Sequence, residues 1–427
     1  MLKICMFEVC ERQDKGSIGA FYVRHHAELA GYHIDVADGP RVGYDVELAS
    51  VHHCTDFPRL AAAPKRARWR IVGGHPMQNN PRPCIPYADA ICIGEGESWI
   101  KAALRLIEDT DDISALSALP GTIMCKDWEP GRKVPSANIE RPLPDNPPYL
   151  NRPGTLSAAW YIEMARGCPY RCDYCELGNS LPYRPYKREH LEKMIDACET
   201  GKTRKINFYA PDEASHPAYA EMYKYLGDKG YSAAFSSMRI ESVLRNPPPL
   251  KNNHLIRVGI DGLTESTRRK VNKPITDQMI RDYFSLFIDR GHCNFKMFMI
   301  IGYPWETQED FDEWSVMMDR LMSLPLKKNI SLRIKWTPLI PQPCTPLAGV
   351  RPNYTWDMYY AVEEWHARHR LPQREPGWHV ENDGLMSIRS HAEQCALTAG
   401  NEFELFRYRD AKPPLAEWAQ EEYERRR

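Results

Sequence analysis

The stretch Ala165-Arg166-Gly167-Cys168-Pro169-Tyr170-Arg171-Cys172-Asp173-Tyr174-Cys175-Glu176-Leu177 decides how the rest of the chain is read. Its three cysteines follow a C-x3-C-x2-C spacing, with an aromatic residue before the third. Three thiolates on one tight loop can hold three irons of a [4Fe-4S] cluster. The fourth iron is then left to chelate a small molecule. Zinc is the competing metal. Structural zinc sites close with four ligands, as paired C-x2-C or as C-x2-C plus histidines. Neither a second pair nor a nearby H-x3-H follows here.

The loop resembles the signature of the radical S-adenosylmethionine superfamily. The resemblance implies that Cys168, Cys172 and Cys175 ligate the cluster and that S-adenosylmethionine chelates its open iron. It further implies reductive cleavage of the cofactor to a 5'-deoxyadenosyl radical that abstracts hydrogen. A one-electron reductant such as flavodoxin or ferredoxin would be a partner.

The 427 residues are 43% hydrophobic and 26% charged, an ordinary globular composition with room for two or three domains. A formal net charge of -1 gives no global signal for a polyanion partner. No apolar run reaches membrane-spanning length, so no membrane partner is expected. The opening run Ile4–Val9 is too short for a signal peptide and reads as a first strand. Thirteen cysteines without a secretion signal point to a reducing cytoplasm and metal ligation.

The expected fold class is α/β: a Rossmann-like, cobalamin-binding-type open sheet, then a partial (β/α)6 radical S-adenosylmethionine barrel, then a small C-terminal region. The expected domains are 1–134, a proline-rich linker over 135–156, the barrel over 157–347, and 348–427. In the first domain, strands are expected at Leu2–Val9, Tyr32–Val36, Val46–His52, Trp69–Val72 and Ala88–Ile93. Helices are expected at Ala20–Leu29 and Ile100–Ile107. Strand ends carry Val72-Gly73-Gly74-His75-Pro76 and Ile93-Gly94-Glu95-Gly96-Glu97, where glycine permits close backbone approach. This pair resembles the cobalamin-binding-type domain found ahead of many radical S-adenosylmethionine barrels. Cobalamin is admitted but not favoured. The first turn, Cys10 to Gly16, is highly charged and lacks D-x-H-x-x-G, and residues 38–44 are too short for a helix. Cys10, Cys54 and Cys84 loosely resemble the three-cysteine domain of methylthiotransferases, which holds a second cluster; buried packing thiols are the plainer reading.

In the barrel, strands are expected at Ala158–Met164, Lys205–Tyr209, Ala233–Ile240, Leu255–Ile260, Asn294–Ile301 and Ser331–Trp336. Helices are expected at Glu189–Glu199, Ala218–Gly227, Asp277–Asp289 and Glu309–Met322. Active sites of such barrels lie at the carboxyl ends of the strands. The resemblance implies cofactor contacts there. Tyr174 precedes the third cysteine. Asp212 or Glu213 would accept from the cofactor's ammonium, and Ser237 and Arg239 end the third strand, with Arg239 facing the methionyl carboxylate. Gly259 and Asp261 match a G-x-E-S segment, and Gly302 and Pro304 lie in a G-x-P-x-E-T motif. After the sixth strand Cys344 replaces a glycine; an inert packing thiol is its plainer reading. From about 348 the chain leaves the barrel; Tyr354–His369 reads as a helix and 421–427 as a frayed end.

The substrate is less clearly written. Lys65-Arg66-Ala67-Arg68-Trp69-Arg70 and Tyr183-Arg184-Pro185-Tyr186-Lys187-Arg188 interleave cations and rings, which suits DNA, although solvated surface is the default. These stretches and the chain's size point to a resemblance to phage enzymes that remodel hypermodified thymidines, including glycyl isomerisation, on a flipped base. No motif carries that reading. The alternative is a cobalamin-dependent radical methylase of a small molecule or peptide.

Overall fold

The computed structural model describes residues 2–10, 16–234, 238–249, 254–370 and 376–400. The expected frayed end at 421–427 and the charged turn at 11–15 lie outside the described residues. The chain divides into two compact units. The first is Met1–Tyr149 with Gln342–Cys344 and the stretch beginning at Ala392; the second is Leu150–Pro341 with Thr345–His391.

The first unit is built on a six-stranded sheet. Its strands are β1 (Ile4–Val9), β2 (Ile34–Ala37), β3 (Val46–Val51), β4 (Trp69–Gly73), β5 (Ala90–Cys92) and β6 (Thr122–Met124). Their order is β2-β1-β3-β4-β5-β6, parallel except for β6, which pairs antiparallel to β5. Both faces of the sheet are apolar, as parallel sheets require. Ile4, Met6, Ile34 and Leu48 pack with helices Ile18–Leu29 and Glu97–Thr110 on one side. Phe7, Val9, Val51, Val72 and Ile91 form the other core. No helix separates β2 from β3, in line with the short segment there. The antiparallel β6 was not foreseen; three residues are too few to show a period.

Two glycines at strand ends are dictated by backbone. Gly74 has φ +114°, and a Cβ there would stand 2.0 Å from the Val51 carbonyl oxygen. Gly94 has φ +103°, and its Cβ would stand 2.1 Å from the Asn138 carbonyl oxygen.

The second unit contains β7 (Tyr149–Asn151), β8 (Ala159–Glu163), β9 (Ala165–Arg166), β10 (Arg184–Pro185), β11 (Lys205–Tyr209), β12 (Ser232–Ala234), β13 (Ile256–Gly259), β14 (Asn294–Ile301), β15 (Ile330–Pro338) and β16 (Trp378–Leu385). One sheet runs β12-β11-β8-β7 and another β13-β14-β15-β16. Neighbours along β8-β11-β12 and along β13-β14-β15-β16 are parallel, and a parallel bridge joins Met238 to Val258. This is the barrel arrangement, with two corrections. β16 adds a parallel strand beyond the six expected, so the chain after 348 returns to the sheet; Glu381-Asn382-Asp383-Gly384 had hidden it as a loop. The third strand is shorter than expected: Ile240 already begins helix Ile240–Arg245, and Arg239 is its N-cap.

A buried ion pair ties β3 to β4. Arg70 Nε donates to Glu47 Oε1 at 2.6 Å, both side chains are almost wholly buried, and Arg70 also donates to the carbonyls of Ala63 and Pro64. Removing one partner strands the other charge, so Glu47→Ala should cost about 3–5 kcal/mol of stability. Glu47→Leu with Arg70→Met should recover much of it, as read by urea denaturation of the full chain. A single variant as stable as the native protein would contradict this account of the pair.

Candidate active site at the cysteine loop

The loop between β9 and β10 is held by contacts that leave no slack. Gly167 has φ +68°, and a Cβ there would meet the Pro182 carbonyl oxygen at 2.2 Å. A Cβ on Gly178 would meet the Tyr170 carbonyl oxygen at 1.8 Å. Asn179 Nδ2 donates to the carbonyls of Cys172 (3.0 Å) and Cys175 (2.8 Å). Asp173 N donates to Val271 O, Leu347 N to Asp173 O, and Asn272 Nδ2 to Arg171 O.

Cys172 is buried; Cys168 and Cys175 are half-buried. Burial, with the charge of neighbouring thiolates, pushes Cys168 up and Cys175 up to about 11. Such thiols hold their protons near neutrality until a metal displaces them. Among the described residues no three His, Cys, Asp or Glu side chains close around a single ion.

Around the loop the structure places the expected residues in two groups. In the first, Arg239 Nη1 donates to Cys172 Sγ at 3.0 Å, while its other nitrogens bind Glu241 and its guanidinium lies 3.9 Å from the Tyr170 ring centroid. Asp212 is buried: Oδ1 accepts from Arg239 N (3.2 Å) and Oδ2 from Ser242 Oγ (2.6 Å). Ser242 Oγ also lies 2.7 Å from Tyr170 OH. Burial pushes the Asp212 carboxyl up, against these hydrogen bonds. Arg239 is thus directed at a cysteine sulfur, not held open for a carboxylate. Glu213 is fully buried and accepts from Tyr223 OH. Ser237 lies outside the described residues.

In the second group, Tyr174 OH donates to Asp261 Oδ2 at 2.9 Å, and Lys273 Nζ donates to the same oxygen. Asp261 sits at φ +58°. A Cβ on Gly259 would stand 2.7 Å from Asp261 Oδ2, so glycine makes room for this pair. Tyr303 OH donates to the Asp261 carbonyl at 3.0 Å, and the Tyr303 ring stacks on Trp305 at 5.4 Å. Gly302 has φ +80° and its N donates to Glu306 Oε2 at 2.7 Å; Pro304 is exposed. Sequence reasoning did not single out Ser242, Glu241, Tyr303 or Asn179. Asn179, four residues after the third cysteine, was the most readable of them, since a side-chain amide there can cap the loop's carbonyls.

Of the second-cluster candidates, Cys84 is fully buried while Cys54 and Cys10 are half-buried. Cys84 lies in an apolar core, and the neighbouring thiol that adds to its raised pKa is Cys125. Cys54 Sγ lies 3.0 Å from Thr398 Oγ1. Cys344 Sγ donates to Asn79 Oδ1 at 3.0 Å, a packing thiol's arrangement.

Glu306 fixes the turn after β14 by accepting from Gly302, Tyr303 and Leu263 N–H groups. Burial still pushes its carboxyl up to about 8. The folded chain therefore holds this proton more tightly than the unfolded chain, whose glutamates titrate near about 4.3. That contribution is full below about pH 4 and is lost as pH rises toward 8. The native melting temperature should fall between about pH 5 and 8, and Glu306→Gln should flatten that fall. A native profile no steeper than the variant's would contradict the assignment.

The family model for the radical SAM superfamily matches residues 162–315. An uncharacterised protein of Methanocaldococcus jannaschii is 24% identical over 280 residues, covering 64% of this chain and 60% of that one. Bacteriochlorophyllide d C-8(2)-methyltransferase of Chlorobaculum tepidum is 22% identical over 318 residues, covering 68% of this chain and 66% of that one. The matches therefore span less than two thirds of either relative's length. Among solved structures, the radical S-adenosylmethionine methyltransferase TsrM from Kitasatospora setae, with cobalamin and a [4Fe-4S] cluster bound, superposes with a TM-score of 0.60 at 14% identity. That likeness covers 81% of this chain and 77% of that one, and it is a likeness of fold. Residues 162–315, which carry the cysteine loop at the carboxyl end of the barrel strands, therefore form a radical SAM domain, and with the parallel open sheet that precedes it the chain shares the fold of a cobalamin-bound radical S-adenosylmethionine methyltransferase.

Proposed function

We propose that this chain is a cobalamin-dependent radical S-adenosylmethionine methylase of a small molecule or peptide. The observation that carries the reading is the state of the strand ends in the first unit. Gly73 ends β4 with nothing within 4 Å of where a Cβ would stand. Just beyond it, Gln78 Oε1 and Arg82 Nε are buried without a hydrogen-bond partner among the described residues. Open space at Gly73, and an unmatched acceptor and donor in the segment that follows it in the chain, suit a large ligand rimmed with amides. The loops after β3, β4 and β5 would hold it. The likeness to TsrM and to the bacteriochlorophyllide methyltransferase supports the same reading.

Cys168, Cys172 and Cys175 are the proposed cluster ligands. When bound, the cluster supplies the electron that cleaves S-adenosylmethionine, and cobalamin supplies a carrier for the methyl group. The chain's own part is positional. Arg239 directs a positive charge at Cys172, and Tyr170 and Glu241 hold that guanidinium in place. Tyr174, Asp261 and Lys273 form a fixed polar group beside the loop; burial and the Asp261 charge keep the Tyr174 hydroxyl protonated. Tyr303 and Trp305 offer stacked rings at the G-x-P-x-E-T turn.

Remodelling of a modified thymidine in DNA has weaker support, because several cations of its basic stretches are already paired. Lys65 pairs with Asp89, Arg68 with Asp111, Arg70 with Glu47, and Arg188 with Glu192. Among the described residues no helix is long and apolar enough to cross a membrane.

Co-expression with cobalamin uptake should yield about one cobalt per chain beside about four irons. Replacing Cys168, Cys172 and Cys175 together with Ala should remove the iron and all 5'-deoxyadenosine formation while leaving the cobalt. Iron-loaded protein that takes up no cobalt would overturn the methylase reading, and cofactor cleavage by the triple variant would overturn the ligand assignment.

A further inference from the structure

The strands of the second barrel sheet have two unlike faces. Buried residues alternate strictly with half-buried ones along β14 and β15. The buried set faces the helices: Phe295 packs on Phe284 of helix Asp277–Asp289, and Trp336 on Trp314 of helix Gln308–Met322. The other set faces the barrel interior, where solvent reaches it. Barrel interiors are ordinarily filled by branched aliphatic side chains. Here three neighbouring strands place cations side by side: Arg257 is in register with Lys296, and Lys296 with Arg333. Lys335 follows on the same face, in register with Phe298. Two carboxylates of the adjoining strand answer Lys296, Arg333 and Lys335 only in part. Asp383 binds Lys296, and Glu381 is the exposed register partner of Arg333. Across the interior, Asn207 on β11 alternates with buried Ile206 and Phe208, and its Oδ1 is buried without a hydrogen-bond partner among the described residues.

Like charges in register on adjacent strands repel one another. Among the described residues Asp383 answers Lys296, while Arg333 and Lys335 have only the exposed Glu381 opposite them, and β-branched residues would fill the space more stably. A bound anion removes the conflict. We propose that this face is a substrate chamber for an elongated anion whose carboxylate or phosphate groups bind Arg333, Lys335 and Lys296. The reading rests on the radical enzyme assignment for the position of the reacting end, at the carboxyl ends of the strands. Lys335 lies three residues and Arg333 five residues below Pro338, the last residue of β15. At ~3.3 Å per residue, the anionic groups sit roughly 10–16 Å from the reacting end. The substrate is then long, with its charge remote from the carbon that reacts.

The test uses the full-length chain and two probes, inorganic pyrophosphate and tricarballylate, with isothermal titration calorimetry at two salt concentrations. At least one probe should bind with salt-dependent affinity, and which one binds tells phosphate from carboxylate. Arg333→Gln with Lys335→Met should weaken binding about tenfold or more, as charge-assisted contacts are lost. Asp383→Asn, which releases Lys296, should tighten it several-fold. Arg333→Lys with Lys335→Arg keeps the charge and should keep binding, which separates lost contacts from a misfolded barrel. Native protein that binds neither probe, or a double-neutral variant that binds as tightly as native, overturns the proposal. Iron and cobalt content are read separately, so failure here leaves the cofactor assignment standing, and absence of cobalt leaves this one standing.

Discussion

Three thiols on one short loop of irregular backbone must be held in place, and much of the second unit is arranged around that need. Helices and strands satisfy their own backbone groups; a loop of this kind does not. Here the amide of Asn179 takes two of its carbonyls, Val271 and Leu347 anchor Asp173 from both sides, and Asn272 takes Arg171. Asn179 is local, but Val271 and Asn272 follow the helix Glu265–Lys270 after β13 and Leu347 lies after β15, so closure of distant strands helps set the thiols. Gly167 and Gly178 lie where any Cβ would collide with carbonyl oxygen. The loop is a product of the barrel as much as a signature within it.

The same strands carry two functions on two faces. Toward the helices they supply the core, with Phe295, Met297, Ile334 and Trp336 wholly buried. Toward the interior they carry Lys296, Arg333 and Lys335. A parallel strand buried on both faces reads as a continuous apolar run; clean alternation in β14 and β15 is therefore itself informative. It separates the surface that stabilises the barrel from the surface that can meet a substrate.

Much of this was legible in the sequence. Asp277–Asp289 shows its helical period, Asn294–Ile301 reads as an apolar run of strand length, and the structure keeps those bounds. The cysteine spacing, the paired glycine segments and G-x-P-x-E-T supplied the order of the two units. The failures have separate causes. β16 was missed because Glu-Asn-Asp-Gly is turn chemistry, and only pairing with β15 overrides it. Arg239 was read as a strand end because the apolar residues around it continue a β pattern, whereas it caps a helix. The interior cations passed unnoticed because charges within a strand read as a solvated face until the topology puts that face inside a barrel.

The central claim is that the three cysteines hold a [4Fe-4S] cluster whose fourth iron is open to S-adenosylmethionine. Mössbauer spectroscopy of the anaerobically reconstituted, iron-57-labelled full-length protein, with and without S-adenosylmethionine, tests it most directly. The account predicts that one iron site in four changes its isomer shift and quadrupole splitting when the cofactor is added, while the other three stay as they were. Spectra unchanged by the cofactor, or a cluster with all four irons already closed by protein ligands, would contradict it.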